Sequence, residues 1–162
     1  MPEVICNTSP LQYLHQIGLL HILPALAGRV IVPQAVVDEL AQGLAAGLNL
    51  PDLPNCEWVV IRRPVSVSAL PLITDLGPGE TEVLMLALES QDSVAILDDA
   101  LARRVAGSQG IRIIGTLGVL LNAKRAGHLS SIREYVDQLE ALRFRLAPQT
   151  RASVLKLADE LT

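Results

Sequence analysis

Val94-Ala95-Ile96-Leu97-Asp98-Asp99 decides how this sequence is read: four apolar residues in an unbroken row, closed by two adjacent carboxylates. A strand exposed on one face alternates apolar and polar residues. A row without alternation fits a strand covered on both faces, as in a parallel sheet. Downstream, Ala100 to Ser108 reads as a helix, Gly110 releases the chain, and Ile111 to Ile114 forms a second apolar row that ends at Gly115-Thr116. Upstream, Val4 to Cys6 and Arg29 to Val32 repeat the same character. Between the rows lie helix-forming stretches. Asn7-Thr8-Ser9-Pro10 closes the first strand and opens a helix, Pro33 leads into Gln34 to Ala41, and Gly79-Glu80 starts a helix to about Ser90. The alternation of strand and helix predicts a layered α/β domain with a mainly parallel sheet.

Gly43 to Pro54 reads as a loop, and Trp58 to Arg62 as a peripheral or edge strand. From about residue 117 the chain is expected to be helical. Ser131 and Glu134 have the spacing of a capping box, and Pro148 opens a final helix toward Leu161, with Val154, Leu155, Leu157, Ala158 and Leu161 on an apolar face docked on its own domain. With 162 residues and 50% hydrophobic content, residues 1–162 are expected to form one domain with its own core.

Composition removes several function classes. No apolar run approaches the roughly 18 residues of a membrane span, and Glu3 precedes an immediate strand, so neither a membrane segment nor a signal peptide is expected and the reading is cytoplasmic. Cys6 and Cys56 lack CxxC spacing and read as incidental thiols. A net charge of -4 argues against holding nucleic acid through bulk electrostatics, so any such contact must use a local basic patch. Aromatics at 2% of residues are too few for a stacking platform that reads single strands base by base. His15, His21 and His128 have no ligand spacing.

In a parallel sheet the ligand site lies beyond the carboxyl ends of the strands. Asn7, Thr8 and Ser9 follow the first strand, Asp98 and Asp99 the Val94 to Leu97 strand, and Thr116 the Ile111 to Ile114 strand. Glu80 and Glu82 fall in a helix's first turn, and Glu39 lies a turn or so past Pro33. Several carboxylates can therefore meet in one place. Clustered carboxylates repel one another unless a cation joins them, and oxygen ligands select Mg²⁺ or Mn²⁺. Such an ion can activate water against a phosphodiester without a side-chain nucleophile. Each piece also has an ordinary structural reading. Asn7, Thr8 and Ser9 can cap a helix, Glu80 and Glu82 can favour a helix N-terminus, and one of Asp98 and Asp99 is expected to cap the helix at Ala100. Arg62, Arg63, Arg103, Arg104, Lys124 and Arg125 are candidates for a phosphate-binding rim, although paired basic residues are more often a solvated face.

Asn7-Thr8-Ser9-Pro10-Leu11, Val32-Pro33 with Val37-Asp38-Glu39-Leu40, Gly77-Pro78-Gly79-Glu80-Thr81-Glu82, Ile96-Leu97-Asp98-Asp99 through Arg103-Arg104, and Ile114-Gly115-Thr116 together resemble a PIN domain, in a prokaryotic branch that opens with Asp or Asn before Thr-Ser-Pro. The resemblance spans nearly the whole chain in order. It implies a three-layer α/β/α sandwich, an Mg²⁺ or Mn²⁺ site, RNA cleavage, and often the toxin role in a toxin and antitoxin pair, with a small antitoxin protein as partner. A homodimer is a further candidate assembly. Carried across, the family's acids fall on Asn7, Glu39, Glu82 or Glu80, and Asp99 or Asp98. Glu39, Glu82 and Asp99 are the catalytic candidates; Asn7, Glu80 and Asp98 join them as metal ligands; Thr8, Ser9 and Thr116 are accessory. The departure is Asn7, which offers a carbonyl oxygen and no charge. The alternatives are a PIN-like module that binds nucleic acid or protein without hydrolysis, and a receiver-like domain. A receiver requires an acidic pair at the first strand, where this chain has Asn7-Thr8.

Overall fold

β1 (Glu3–Cys6), β2 (Val30–Pro33), β3 (Val59–Arg62), β4 (Ser93–Ile96) and β5 (Arg112–Ile114) pair side by side in the order β3-β2-β1-β4-β5, every pair parallel. The computed structural model describes residues 2–66 and 75–161. The first, second, fourth and fifth strands are the apolar rows of the sequence, and Val59–Arg62 is indeed an edge strand. Eight helices among the described residues flank the sheet: α1 (Thr8–Gln16), α2 (Ile22–Ala27), α3 (Gln34–Ala45), α4 (Pro78–Glu89), α5 (Ala100–Ser108), α6 (Thr116–Arg125), α7 (Arg133–Ala141) and α8 (Pro148–Leu157). Contacts join α3 to α4 on one side of the sheet and α2 to α6 on the other, which gives three α/β/α layers.

The sheet centre is dry. Ile5, Val30, Val32, Ala95 and Ile96 are buried, and Leu11, Leu14, Leu84, Leu97 and Leu120 pack around them. Each such leucine contributes about 1.5–3 kcal/mol of apolar burial, so these contacts fix where the strand ends lie. The chain runs outward from β1 through β2 to β3, then returns to the other side of β1 for β4 and β5. A crevice opens at such a reversal, beyond the carboxyl ends of β1 and β4. No described helix is long and apolar enough to cross a membrane.

Three local expectations are corrected. The loop read from Gly43 is helix as far as Ala45, because the Leu50 side chain packs on the position where Gly43 lacks one, and a short 3-10 turn occupies Leu53–Asn55. The α2 turn was not anticipated, since its short Ile22-Leu23-Pro24 start resembles a loop. Ser131 and Glu134 do not form a capping box: Ile132 takes the cap position, and Ser131 Oγ donates to Glu160 Oε1 at 2.6 Å.

Glu160 replaces the expected cap from far along the chain. Its carboxylate accepts from the amides of Ile132 and Arg133 and from Lys124 Nζ at 2.9 Å, while Lys124 also donates to the carbonyl of Ala158. This knot ties the end of α8 to α6 and to the start of α7. Leu155 and Ala158 of the expected apolar face are buried against the domain, whereas Leu157 and Leu161 stay exposed.

Candidate metal centre

The register pairs Cys6 with Ile96, so the ends of β1 and β4 stand level, with Asn7 just beyond one and Leu97-Asp98 just beyond the other. The Asn7 amide donates to the Ile96 carbonyl at 3.1 Å, and the residue occupies the N-cap of α1. Its side chain does not cap that helix. Asn7 is 3% exposed, and its Oδ1 is a buried acceptor with no hydrogen-bond partner among the described residues. Leaving such an oxygen unpaired costs about 1–3 kcal/mol, and native proteins rarely bear that cost without a reason.

Asp98 is gripped by the start of α6. Thr116 N donates to Oδ1 at 2.8 Å, Thr116 Oγ1 donates to Oδ2 at 2.6 Å, and Ser9 Oγ reaches Oδ2 at 3.4 Å. A fully buried threonine at a helix N-terminus thus holds the carboxylate in one orientation. Glu39 is held from two sides: Thr8 Oγ1 donates to Oε2 at 2.5 Å, and Gly79 N donates to Oε1 at 3.0 Å. None of the three residues after β1 therefore spends its side chain as a cap. Two of them orient carboxylates.

The remaining acids divide. Glu80 accepts from Gly77 N at 3.0 Å. Burial pushes its carboxyl up; the Gly77 amide opposes this, and the negative charges of Asp99 and Glu39 push it further up. Glu39, Glu80 and Asp99 therefore share one electrostatic neighbourhood. Asp99 is the N-cap of α5, with Oδ2 accepting from Ala102 N at 2.9 Å, so the expectation that one of the aspartate pair caps this helix holds for Asp99. Glu82 accepts from the amide of Ala35 at 2.9 Å and so caps the first turn of α3. Among the described residues no three carboxylate, imidazole or thiol groups are already gathered into a cation cage. The donor set nonetheless suits a hard divalent ion. Every candidate atom is oxygen, the repulsion around Glu80 is of the kind a cation relieves, and Asn7 Oδ1 is a buried acceptor that a cation could use.

The basic candidates also separate. Arg62 pairs with Glu3 at 3.1 Å and Lys124 is engaged by Glu160, whereas Arg63, Arg104 and Arg125 are exposed. Arg103 donates to the Leu97 carbonyl at 2.9 Å, which holds its guanidinium beside the Asp98 turn. Sequence reading missed two glycines that make room here. A Cβ at Gly79 would lie 2.7 Å from Glu39 Oε1, and one at Gly115 would lie 3.1 Å from Asp98 Oδ1 and 2.9 Å from Arg103 Nη1. At Gly115 the close neighbours are ends of flexible side chains, whereas a Cβ at Gly79 would also lie 3.1 Å from Cγ2 of the buried Val36. Gly79→Ala should therefore displace the Glu39 carboxylate and press on the Val36 methyl. A melting curve should show a fall in Tm of about 2–4 °C, the scale of about 1 kcal/mol of overpacking in a chain of this size, with the helical circular dichroism signal retained.

The buried thiol of Cys6 is pushed well up by its burial and by the charge of Asp98, so it offers no reactive thiolate.

An all-parallel α/β/α sandwich with Asn7, Asp98 and Thr116 at its switch point places these polar residues where folds of this class bind ligands. A family model described as a PIN domain matches residues 3–160, and the chain belongs to that family, a nuclease-type superfamily whose members generally use divalent metal ions. No curated protein matches the chain.

Proposed function

We propose that this chain, acting as one domain over residues 1–162, is an Mg²⁺- or Mn²⁺-dependent ribonuclease. The observation that carries the reading is the unpaired Oδ1 of Asn7, buried at the switch point beside an Asp98 already fixed by Thr116. Asp98, Glu39, Glu80 and Asp99 would hold the cation together with Asn7, and Glu82 stands behind them as the cap of α3. A hard cation there supplies a water of lowered pKa and offsets charge developing on a phosphodiester. The chain's own contribution is orientation. Thr116 and Ser9 hold Asp98, Thr8 and Gly79 hold Glu39, and Arg103 presents positive charge beside the Asp98 turn. No serine or cysteine nucleophile is required.

The test is cleavage of a labelled RNA by the full chain with EDTA, Mg²⁺ or Mn²⁺, repeated with Asp99→Asn. Asparagine still caps a helix, so this variant should keep α5 and lose only charge. Cleavage that needs metal and falls in Asp99→Asn supports the proposal; equal rates in both proteins, or cleavage in EDTA, would remove it.

The cellular role we attach to this activity is that of a toxin restrained by a small antitoxin protein. A neighbouring reading frame for a small DNA-binding protein would support that role, and its absence would count against it.

One observation favours a second reading, a PIN-like module that binds without cutting. Asn7 brings no charge, and the oxygens of Asp98 and Glu39 already accept hydrogen bonds. Asn7→Asp separates the two. Restoring a charged ligand should raise Mn²⁺ affinity by about tenfold, because affinity at oxygen sites follows ligand charge. If cleavage rises with it, the natural site is a weakened enzyme; if affinity is unchanged, Asn7 does not face the ion.

A further inference from the structure

We propose that Glu82 is a positioning residue: it clasps α4 to α3 through the Ala35 amide, and by that clasp sets the helix from which Glu39 reaches the site. The observation is a reciprocal exchange between two helix starts. Ala35, in the first turn of α3, donates its amide to Glu82 Oε1 of α4 at 2.9 Å. Gly79, in the first turn of α4, donates its amide to Glu39 Oε1 of α3 at 3.0 Å. Each helix thus supplies the carboxylate that the other's first turn lacks. The clasp itself rests on these two bonds; its service to a cation rests on the ribonuclease reading.

The sequence calls for the exchange at both ends. The first amides of a helix have no partner within it, and a cap side chain usually supplies one. Here the cap positions are Pro33 and Gly77, and neither makes a side-chain cap bond. Ala35 and Glu39 are four residues apart and Gly79 and Glu82 are three, so on each helix the amide and the glutamate lie on one face. Two such faces laid together satisfy both. α3 packs chiefly on α4, and the missing Cβ of Gly79 lets the two close up. A Cβ there would lie 2.7 Å from Glu39 Oε1 and 3.1 Å from Cγ2 of the buried Val36.

The two glutamates have unequal duties. Glu39 Oε2 also accepts from Thr8 Oγ1 at 2.5 Å, so that carboxylate is held from the end of β1 as well as from α4. Glu82 acts one step further back. Its oxygen holds the first turn of the helix that carries Glu39, so removing that oxygen frees the start of α3 to shift and slackens the Gly79 bond with it. Bonds from amides to carboxylates are charge-assisted and stronger than those between neutral groups, which suits them to fix one helix against another. A ligand and a clasp make different demands on position 82. A ligand of a hard cation gains from charge, whereas the clasp needs only an oxygen that accepts, and glutamine carries one.

The test follows amide hydrogen exchange by NMR in EDTA, and Mn²⁺ uptake separately, in the full chain as wild type, Glu82→Ala and Glu82→Gln. The Asn7 amide, bonded to the Ile96 carbonyl between β1 and β4, serves as the reference for general loosening. In Glu82→Ala the Ala35 amide should exchange faster because its acceptor is gone. The Gly79 amide should also exchange severalfold faster, although its own acceptor Glu39 is untouched, while Asn7 stays as it was. Tm should fall by about 2–4 °C, the scale of one lost cap in a chain of this size. Mn²⁺ uptake should weaken about ten- to a hundredfold, the usual cost of losing a residue that orients a ligand. Glu82→Gln should return all of these close to the wild type. An unchanged Gly79 amide in Glu82→Ala would overturn the clasp, and so would Gly79 and Asn7 loosening together. Uptake as weak in Glu82→Gln as in Glu82→Ala would make Glu82 a ligand and overturn the positioning role. If Glu82→Ala does not fold, Glu82→Gln decides alone: wild-type uptake supports the positioning role and lost uptake overturns it. Should the wild type take up no Mn²⁺ while Gly79 responds as expected, the cation reading falls and the clasp stands.

Discussion

Asp98→Asn should remove at least about 3 kcal/mol of transition-state stabilisation, seen as a hundredfold or greater loss of metal-dependent RNA cleavage with the fold intact. The fold survives because an asparagine oxygen can still accept from Thr116 N, now at 2.8 Å, and the Thr116 hydroxyl can turn to accept from the new amide. What disappears is the charge placed at the switch point. Thr116→Val serves as the comparison. It keeps the Asp98 charge and removes one of the donors holding it, so cleavage should fall less than in Asp98→Asn, about ten- to a hundredfold, the usual cost of losing a residue that orients a metal ligand. Melting curves of both variants should stay close to the wild type. Should Asp98→Asn cleave at the wild-type rate, Asp98 is not a ligand.

The second large effect is on stability. Although burial pushes it up, the Glu160 carboxyl is held down at about 2, against 4.5 for an ordinary glutamate, by hydrogen bonds from Ser131, from the Ile132 amide, from Lys124 and from the Arg133 amide. Its side chain is only 11% exposed, so the neutral replacement Glu160→Gln leaves Lys124 and two helix-start amides poorly matched. A loss of about 3 kcal/mol is expected, the scale for breaking a partly buried charge pair, which for a chain of this size lowers Tm by about 6–12 °C. The pH dependence has a definite sign. The folded carboxyl titrates lower than the unfolded one, so the stabilisation is complete above pH 4.5 and is lost as pH falls toward 2. In Glu160→Gln that acid-sensitive portion should vanish. Equal acid sensitivity of wild type and variant, measured by denaturant melts between those pH values, would show that Glu160 does not carry it.

The same residues show what a sequence exposes and what it conceals. Strands buried on both faces declare themselves as unbroken apolar rows, which is why Val94 to Leu97 and Val4 to Cys6 were legible, and turn residues placed the acids of Asp98-Asp99 at a strand end. Asn7 was ambiguous because a cap and a ligand call for the same side chain. The structure removes the cap, since the Asn7 side chain makes no cap hydrogen bond and its buried Oδ1 has no partner among the described residues. Glu160 was invisible, since a capping box is a local pattern and this cap comes from 28 residues beyond Ile132. Gly43 suggested a helix stop, yet the deciding contact, Leu50 packing on it, belongs to the following loop. Glu80 and Glu82 lie in one turn of one helix, and spacing could not divide them. Tertiary neighbours did: Glu80 accepts from the Gly77 amide and feels the charges of Asp99 and Glu39, while Glu82 accepts from the amide of Ala35.

In the function proposed above, oxygens beyond the ends of β1 and β4 hold a divalent cation. Its most direct test is an Mn²⁺ titration followed by the electron paramagnetic resonance signal of the free ion, run on the wild type and on Asp98→Asn. The wild type should remove Mn²⁺ from solution in a saturable way, and Asp98→Asn should do so far more weakly. Equal uptake by both proteins, or no uptake by the wild type, would contradict it.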